Sequence, residues 1–153
     1  MLLTIHQHKI EINQPTSLEA IAKKYSPDQQ IYAGIVNGKL YELNHIIEND
    51  ATIEWVDEQN IIGKQIYERT LTFVFIVATK QLFKDAVIHV EFTFQDGLYC
   101  SIQKKESLTP QDVDQIKQRM LDLIQEHSKI TRHVMPQNQA IDFFKQNHLE
   151  DKA

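Results

Sequence analysis

Apolar positions along the first sixty residues recur at two different spacings. In "LLTIHQHKIEIN", Leu3 and Ile5 and then Ile10 and Ile12 alternate with polar residues around a short polar break, which is the period of two strands joined in a hairpin. "PTSLEAIAKKY" changes to helical spacing. Leu18, Ile21, Ala22 and Tyr25 share one face, and Thr16 and Glu19 have the separation of a capping box. "IYAGIV" and "LYELN" flank Asn37-Gly38, a dipeptide that accepts the positive φ of a tight hairpin turn. "ATIEWV" predicts a further strand.

"DEQNIIGKQ" reads as a linker, and beyond it the pattern changes. "RTLTFVFIVATKQLF", residues 69–83, is the most apolar stretch of the chain. Its Phe, Val and Ile content favours strand locally. Its apolar run ends at Lys80 after about ten residues, and a bilayer needs roughly 20, so it is too short for a membrane anchor. Its place before "KDAVIHVEFTF" predicts a helix buried on both sides. "AVIHVEFTF" and "LYCSI" form a second hairpin pattern around "QDG", with Asp96-Gly97 as turn residues. "SLTPQDVDQIKQRMLDLIQEH" carries the clearest helix signal. Thr109 is placed as cap, Pro110 at the first helical position and Asp112 in the first turn. Leu108 and Val113 have the spacing of a hydrophobic staple, and Val113, Ile116, Met120 and either Leu123 or Ile124 form an apolar stripe. "KITRHVM" predicts another strand, and "PQNQAIDFFKQ" a short helix opening on Pro136. An end at "EDKA" fits either a native terminus or a segment cut from a longer chain.

Composition narrows the class. With 42% apolar and 24% charged residues in 153 positions, the chain suits a soluble protein of one or two small domains. Residues 1–60 hold nine acids against four lysines, and the remainder carries twelve of each sign. The first part therefore repels phosphate backbones, and any basic patch belongs to the second. A single cysteine, Cys100, excludes an intrachain disulfide and a multi-cysteine zinc site and suits a reducing, cytoplasmic compartment. "MLLTIHQHKI" lacks the basic start and long apolar core of a signal peptide.

Hairpin, helix, hairpin and strand follow the order of a ubiquitin-like β-grasp, and the residues carry a more specific likeness. "IVNGKLYELNHIIENDATIEWV" resembles the TGS module found at the front of threonyl-tRNA synthetases, some GTPases and stringent-response enzymes. "ATKQLFKDA", "QDGLYC", "LTPQDVDQIKQRM", "ITRHVM" and "QAIDFFKQ" resemble, in order, the domain that follows TGS in those synthetases. The same pair of domains also resembles the N-terminal half of bacterial uridine-kinase-like nucleoside kinases, to which "GKQIYERTLTFVFIVATKQLF" and "DGLYC" look closer. The resemblance implies an α+β chain with a TGS β-grasp domain over about 1–60 and a synthetase editing-domain-like segment over about 64–150. It implies first a non-catalytic regulatory, ligand-binding or RNA-binding region of a kinase-like protein. A P-loop kinase domain would follow in cis, with ATP and magnesium confined to it. The alternative is a fragment or freestanding relative of the synthetase N-terminal domains, binding tRNA without editing.

In the synthetase pattern the helix at 69–83 opens with two histidines four residues apart. Here those positions are Arg69 and Phe73. Paired imidazoles share a helix face and can hold a metal or a hydrolytic water, whereas arginine stays protonated and phenylalanine has no lone pair. Arg69, Phe73, Tyr99 and Cys100 are thus the candidate ligand-binding residues, with no catalytic group among them. Arg69 suits a bidentate carboxylate or phosphate contact and equally an exposed helical position. Cys100 is expected to be a buried thiol. Lys129, Arg132 and His133, in "HSKITRH", form the one basic cluster and a candidate RNA or phosphate contact, although on a strand Arg132 and His133 would face opposite ways. His6 and His8 supply two potential ligands without a third, fewer than zinc requires, so no metal is expected. The four glycines form no phosphate-cradling loop.

Overall fold

The computed structural model describes residues 1–94, 97–128, 130–147 and 149, without the side chains of Thr93 and Phe94. The chain divides into two compact units, Met1–Leu71 and Thr72–Ala153. The division falls inside a 22-residue helix, α2 (Ile61–Leu82).

The first unit begins with β1 (Leu2–Ile5) and β2 (His8–Glu11), joined through His6 and Gln7 at φ 47° and 70°. After β3 (Thr16–Ser17) and α1 (Leu18–Tyr25) come β4 (Ile31–Val36), β5 (Lys39–Tyr41), β6 (Ile46–Ile47) and β7 (Ala51–Asp57). Five strands form one sheet in the order β2-β1-β7-β4-β5, with β1 parallel to β7 and the other pairs antiparallel. Asn37 and Gly38, at φ 49° and 81°, make the expected turn. The Asn37 side-chain oxygen also accepts from the Thr52 backbone N–H at 2.9 Å and ties that turn to β7.

The core follows the strand period. Ala51, Ile53 and Trp55 are buried while Thr52 and Glu54 are exposed. With Leu3, Ile5 and Ile47 they meet Leu18, Ile21 and Ala22 of α1. Fully burying one such side chain stabilises by about 1.5–3 kcal/mol.

Two details differ from the sequence pattern. The cap of α1 is Ser17, whose Oγ accepts from the Ala20 N–H at 3.2 Å. Thr16 instead donates its hydroxyl to the Gln14 carbonyl at 2.8 Å and pairs with Ile47 in the short β3–β6 ladder. Glu19 has Lys23 as its partner at 2.6 Å, and that ammonium holds the carboxyl below the usual range. The expected linker is mostly helical, because only Glu58–Asn60 separate β7 from α2. Asp57 Oδ1 accepts from the Gln59 and Asn60 backbone N–H groups, and Asn60 Oδ1 accepts from the Ile62 N–H at 2.8 Å, which starts the helix at once.

In the second unit, β8 (Val87–Phe94) and β9 (Gly97–Gln103) pair antiparallel with a bulge between Val90 and Phe92. Asp96 lies outside the described residues. The helices α3 (Pro110–Gln125) and α4 (Gln137–Gln146) follow. Thr109 and Asp112 form a reciprocal capping box at α3, with Pro110 in its first turn. Of the expected α3 stripe, Ile116 is buried, Met120 and Leu123 are half-buried, and Val113 and Ile124 are exposed. The staple partners Leu108 and Val113 are both exposed. Helix α4 begins at Gln137, with Pro136 as its cap residue.

Two expectations are corrected here. The stretch 69–83 is helical through Leu82, but it is not buried on both sides. Ala78 and Thr79 are buried, Val74–Val77 are half-buried, and Leu71, Phe73 and Leu82 are exposed. Its apolar residues run round the whole helix circumference, so they cannot all reach one packing layer. The buried Thr79 hydroxyl is satisfied by donating to the Phe75 carbonyl at 2.8 Å. The described part of "KITRHVM", from Ile130 on, forms no strand. Ile130–Met135 is irregular and exposed, with Val134 at 86%. An extended segment becomes a strand only with a neighbouring ladder, and the second unit's one sheet among the described residues is the β8–β9 pair.

Candidate functional site

Arg69 and Phe73 stand one turn apart on α2, and both side chains are exposed. Four-residue spacing places them on one helix face. Arg69 is a permanent cation and Phe73 an apolar ring, and neither can take a proton from water.

Tyr99 and Cys100 are neighbours on β9, so their side chains point to opposite faces of the hairpin. The bulge sets Phe92 opposite Tyr99, and the two rings stack with centroids 5.1 Å apart and planes at 15°. Both rings remain more than half exposed, at 55% and 54%. Ser101 donates to the Glu91 carboxylate at 2.9 Å beside them. Cys100, opposite Val90, is half-buried instead of sealed in a core. Burial, with Glu91 adding to it, pushes the thiol upward. Near neutrality it is therefore protonated and a poor nucleophile.

Arg132 and His133 lie in the irregular segment after α3, both exposed, with His133 Nε2 3.2 Å from Thr131 Oγ1. Lys129, the third member of that cluster, lies outside the described residues. The candidate residues are thus spread over α2, β9 and this segment.

The first unit also holds two concavities that no linear motif marks. One, about 330 Å³, is lined by Gln30, Tyr32, Glu58, Lys64, Tyr67 and Glu68. The other, about 430 Å³, lies between the β4–β5 turn and β6. Within it Tyr41 and His45 stack at 3.9 Å, and Lys39 Nζ sits 5.3 Å from the Tyr41 ring centre. Periodicity does not reveal such sites, because their walls come from loops and from the polar flanks of elements. Among the described residues no three His, Cys, Asp or Glu side chains are grouped to hold a metal ion. No described helix is long and apolar enough to cross a membrane.

The chain is homologous to a region of threonine–tRNA ligases. Over 149 residues, 95% of its length, it is 30% identical to a threonine–tRNA ligase of Caldanaerobacter subterraneus subsp. tengcongensis. Over 88% of its length it is 33% identical to that of Wolbachia pipientis subsp. Culex pipiens, and over 94% it is 27% identical to that of Clostridioides difficile. The chain spans 20–23% of the length of these relatives. No protein-family profile matches it. These relatives favour the synthetase reading over the nucleoside-kinase one, and they lend no support to a kinase domain in cis or to its ATP and magnesium.

Proposed function

We propose that this chain is a tRNA-binding, non-editing relative of the N-terminal region of threonine–tRNA ligases. In this reading residues 1–60 are a TGS β-grasp unit and residues 64–150 a synthetase-like unit. The observation that carries it is the 30% identity running through 95% of the chain to one continuous ligase segment. The sheet order β2-β1-β7-β4-β5, with β1 parallel to β7 and α1 packed against it, supports the β-grasp assignment. Arg69 and Phe73 support the loss of editing, since neither can ligate a metal or activate water.

Charge directs the RNA contact to the second unit. The nine acids and four lysines of residues 1–60 repel a phosphate backbone. The exposed Arg132 supplies a cation on the irregular segment 130–135, and Lys129 precedes that segment in the sequence. Titrating labelled tRNA at two salt concentrations tests this. Binding should weaken with salt, and Arg132→Ala should lower the salt slope by about one phosphate contact. Deacylation of a mischarged seryl-tRNA for threonine should stay at background. Absence of tRNA binding at low salt, or deacylation above background, would overturn the reading.

A further inference from the structure

We propose that the cavity between Tyr32 and Tyr67 binds an organic cation, a guanidinium or alkylammonium group carried on a flexible chain. This goes beyond the tRNA reading and does not depend on it, because every residue involved belongs to the first unit and none is among the proposed RNA contacts.

The cavity joins three pieces of the fold. Tyr32 comes from β4, Glu58 from the turn after β7, and Lys64, Tyr67 and Glu68 from α2. The two rings lie with centroids 6.1 Å apart and planes tilted by 36°. They meet at an angle instead of stacking flat, so their faces are not wholly spent on each other. Aromatic faces attract cations, and the attraction grows when a carboxylate shares the site.

The lining charge has the matching sign. Glu58 and Glu68 outnumber Lys64 in the wall, and Asp57 stands close enough to act on the Tyr32 hydroxyl. That hydroxyl is pushed upward by burial first, and the neighbouring Glu58, Tyr67 and Asp57 add to it. A phosphate or carboxylate ligand would meet repulsion here. The walls are also set in advance. A Cβ on Gly63 would lie 1.7 Å from the Asp57 carbonyl oxygen and 3.4 Å from the Tyr32 ring. The first turn of α2 therefore sits hard against the end of β7, which fixes where Tyr67 stands relative to Tyr32. A volume of about 330 Å³ is at the small end for ligand sites and suits one side-chain-sized group.

The experiment titrates the full chain with agmatine, following the ring resonances of Tyr32 and Tyr67 by NMR at constant ionic strength, with inorganic phosphate as the opposite probe. Saturable shifts of both rings with agmatine and none with phosphate are expected. Glu58→Gln should weaken binding by about tenfold, the loss of one charge-assisted contact. Lys64→Met should tighten it by removing the competing cation, and Glu48→Gln, in the other concavity, should leave it unchanged. An end-blocked arginine tripeptide separates the two sources of such a cation. Binding at least tenfold tighter than agmatine assigns the site to a partner protein's side chain, and equal or weaker binding assigns it to a free amine. Linear, unsaturable shifts, saturable binding indifferent to Glu58→Gln, or phosphate binding that Lys64→Met abolishes would each overturn the proposal.

Discussion

Gly63 stands where two elements of the first unit nearly touch backbone to backbone. A methyl group there would overlap the Asp57 carbonyl oxygen at 1.7 Å, and neither atom belongs to a side chain able to rotate away. Gly63→Ala should therefore cost about 3 kcal/mol, at the upper end of ordinary overpacking. At Gly34 the added Cβ would meet the tip of Leu18 at 3.1 Å, a contact that side-chain adjustment relieves, and about 1 kcal/mol is expected. Urea midpoints for the two variants check the ordering. Trp55 presents the reverse case. It is 7% exposed, and its indole N–H has no hydrogen-bond partner among the described residues. Trp55→Phe removes that unpaired donor while leaving a smaller void, so its stability should stay within about 1 kcal/mol of the parent. Cys100 should react slowly with maleimide near neutrality and faster as pH rises, because its raised titration keeps the thiolate scarce.

The start of α3 shows how an element couples to pH. Asp112 accepts from the Thr109 backbone N–H and hydroxyl, both at 2.8 Å, and pairs with Lys104 at 3.0 Å. The Lys104 and Asp112 side chains are only 13% and 14% exposed, and Lys104 also lies 4.7 Å over the Phe83 ring. The Thr109 backbone bond first, then Lys104 and the Thr109 hydroxyl, hold the Asp112 carboxyl below its ordinary value. A carboxyl titrating lower when folded than unfolded stabilises fully above the unfolded value and loses that contribution as pH falls through the folded one. Thermal midpoints taken from neutrality down to about pH 3 should therefore fall less in Asp112→Asn than in the parent. Thr109→Ala should cost about 1 kcal/mol, as for other cap deletions.

This cap was legible in the sequence because Thr109, Pro110 and Asp112 act through neighbours within one turn. The Asn37-Gly38 turn was legible for the same reason. The cap of α1 was misplaced by one residue, since Thr16 and Ser17 offer the same hydroxyl. What separates them is the pairing of Thr16 with Ile47, thirty-one positions away in the chain. "KITRHVM" failed for a related reason, because strand composition does not supply a ladder partner. The apolar run of α2 showed its length and polarity plainly, but not how much of its surface the fold covers.

At the scale of the whole molecule, charge and fold divide at nearly the same place. The acidic surplus lies in residues 1–60, and the balanced remainder carries Arg132 and His133. Swapping the sign of one region should therefore affect tRNA and organic cations differently. Removing acids around Tyr32 should weaken agmatine binding while leaving tRNA affinity unchanged or higher. The candidate sites were only partly legible. Arg69, Phe73, Tyr99 and Cys100 came from a likeness to synthetases, whereas the Tyr32–Tyr67 cavity depends on β4 meeting the start of α2, a juxtaposition that no local pattern records.

The placement of two unique residues has a practical consequence. Trp55, the sole tryptophan of the sequence, lies in the core of the first unit, and Cys100, the sole cysteine, lies on β9 of the second. The unmodified chain is thus already a donor–acceptor pair in waiting. Indole emission reports unfolding of the first unit alone, a dye on the thiol reports the second, and energy transfer between them reads the distance without any engineered substitution.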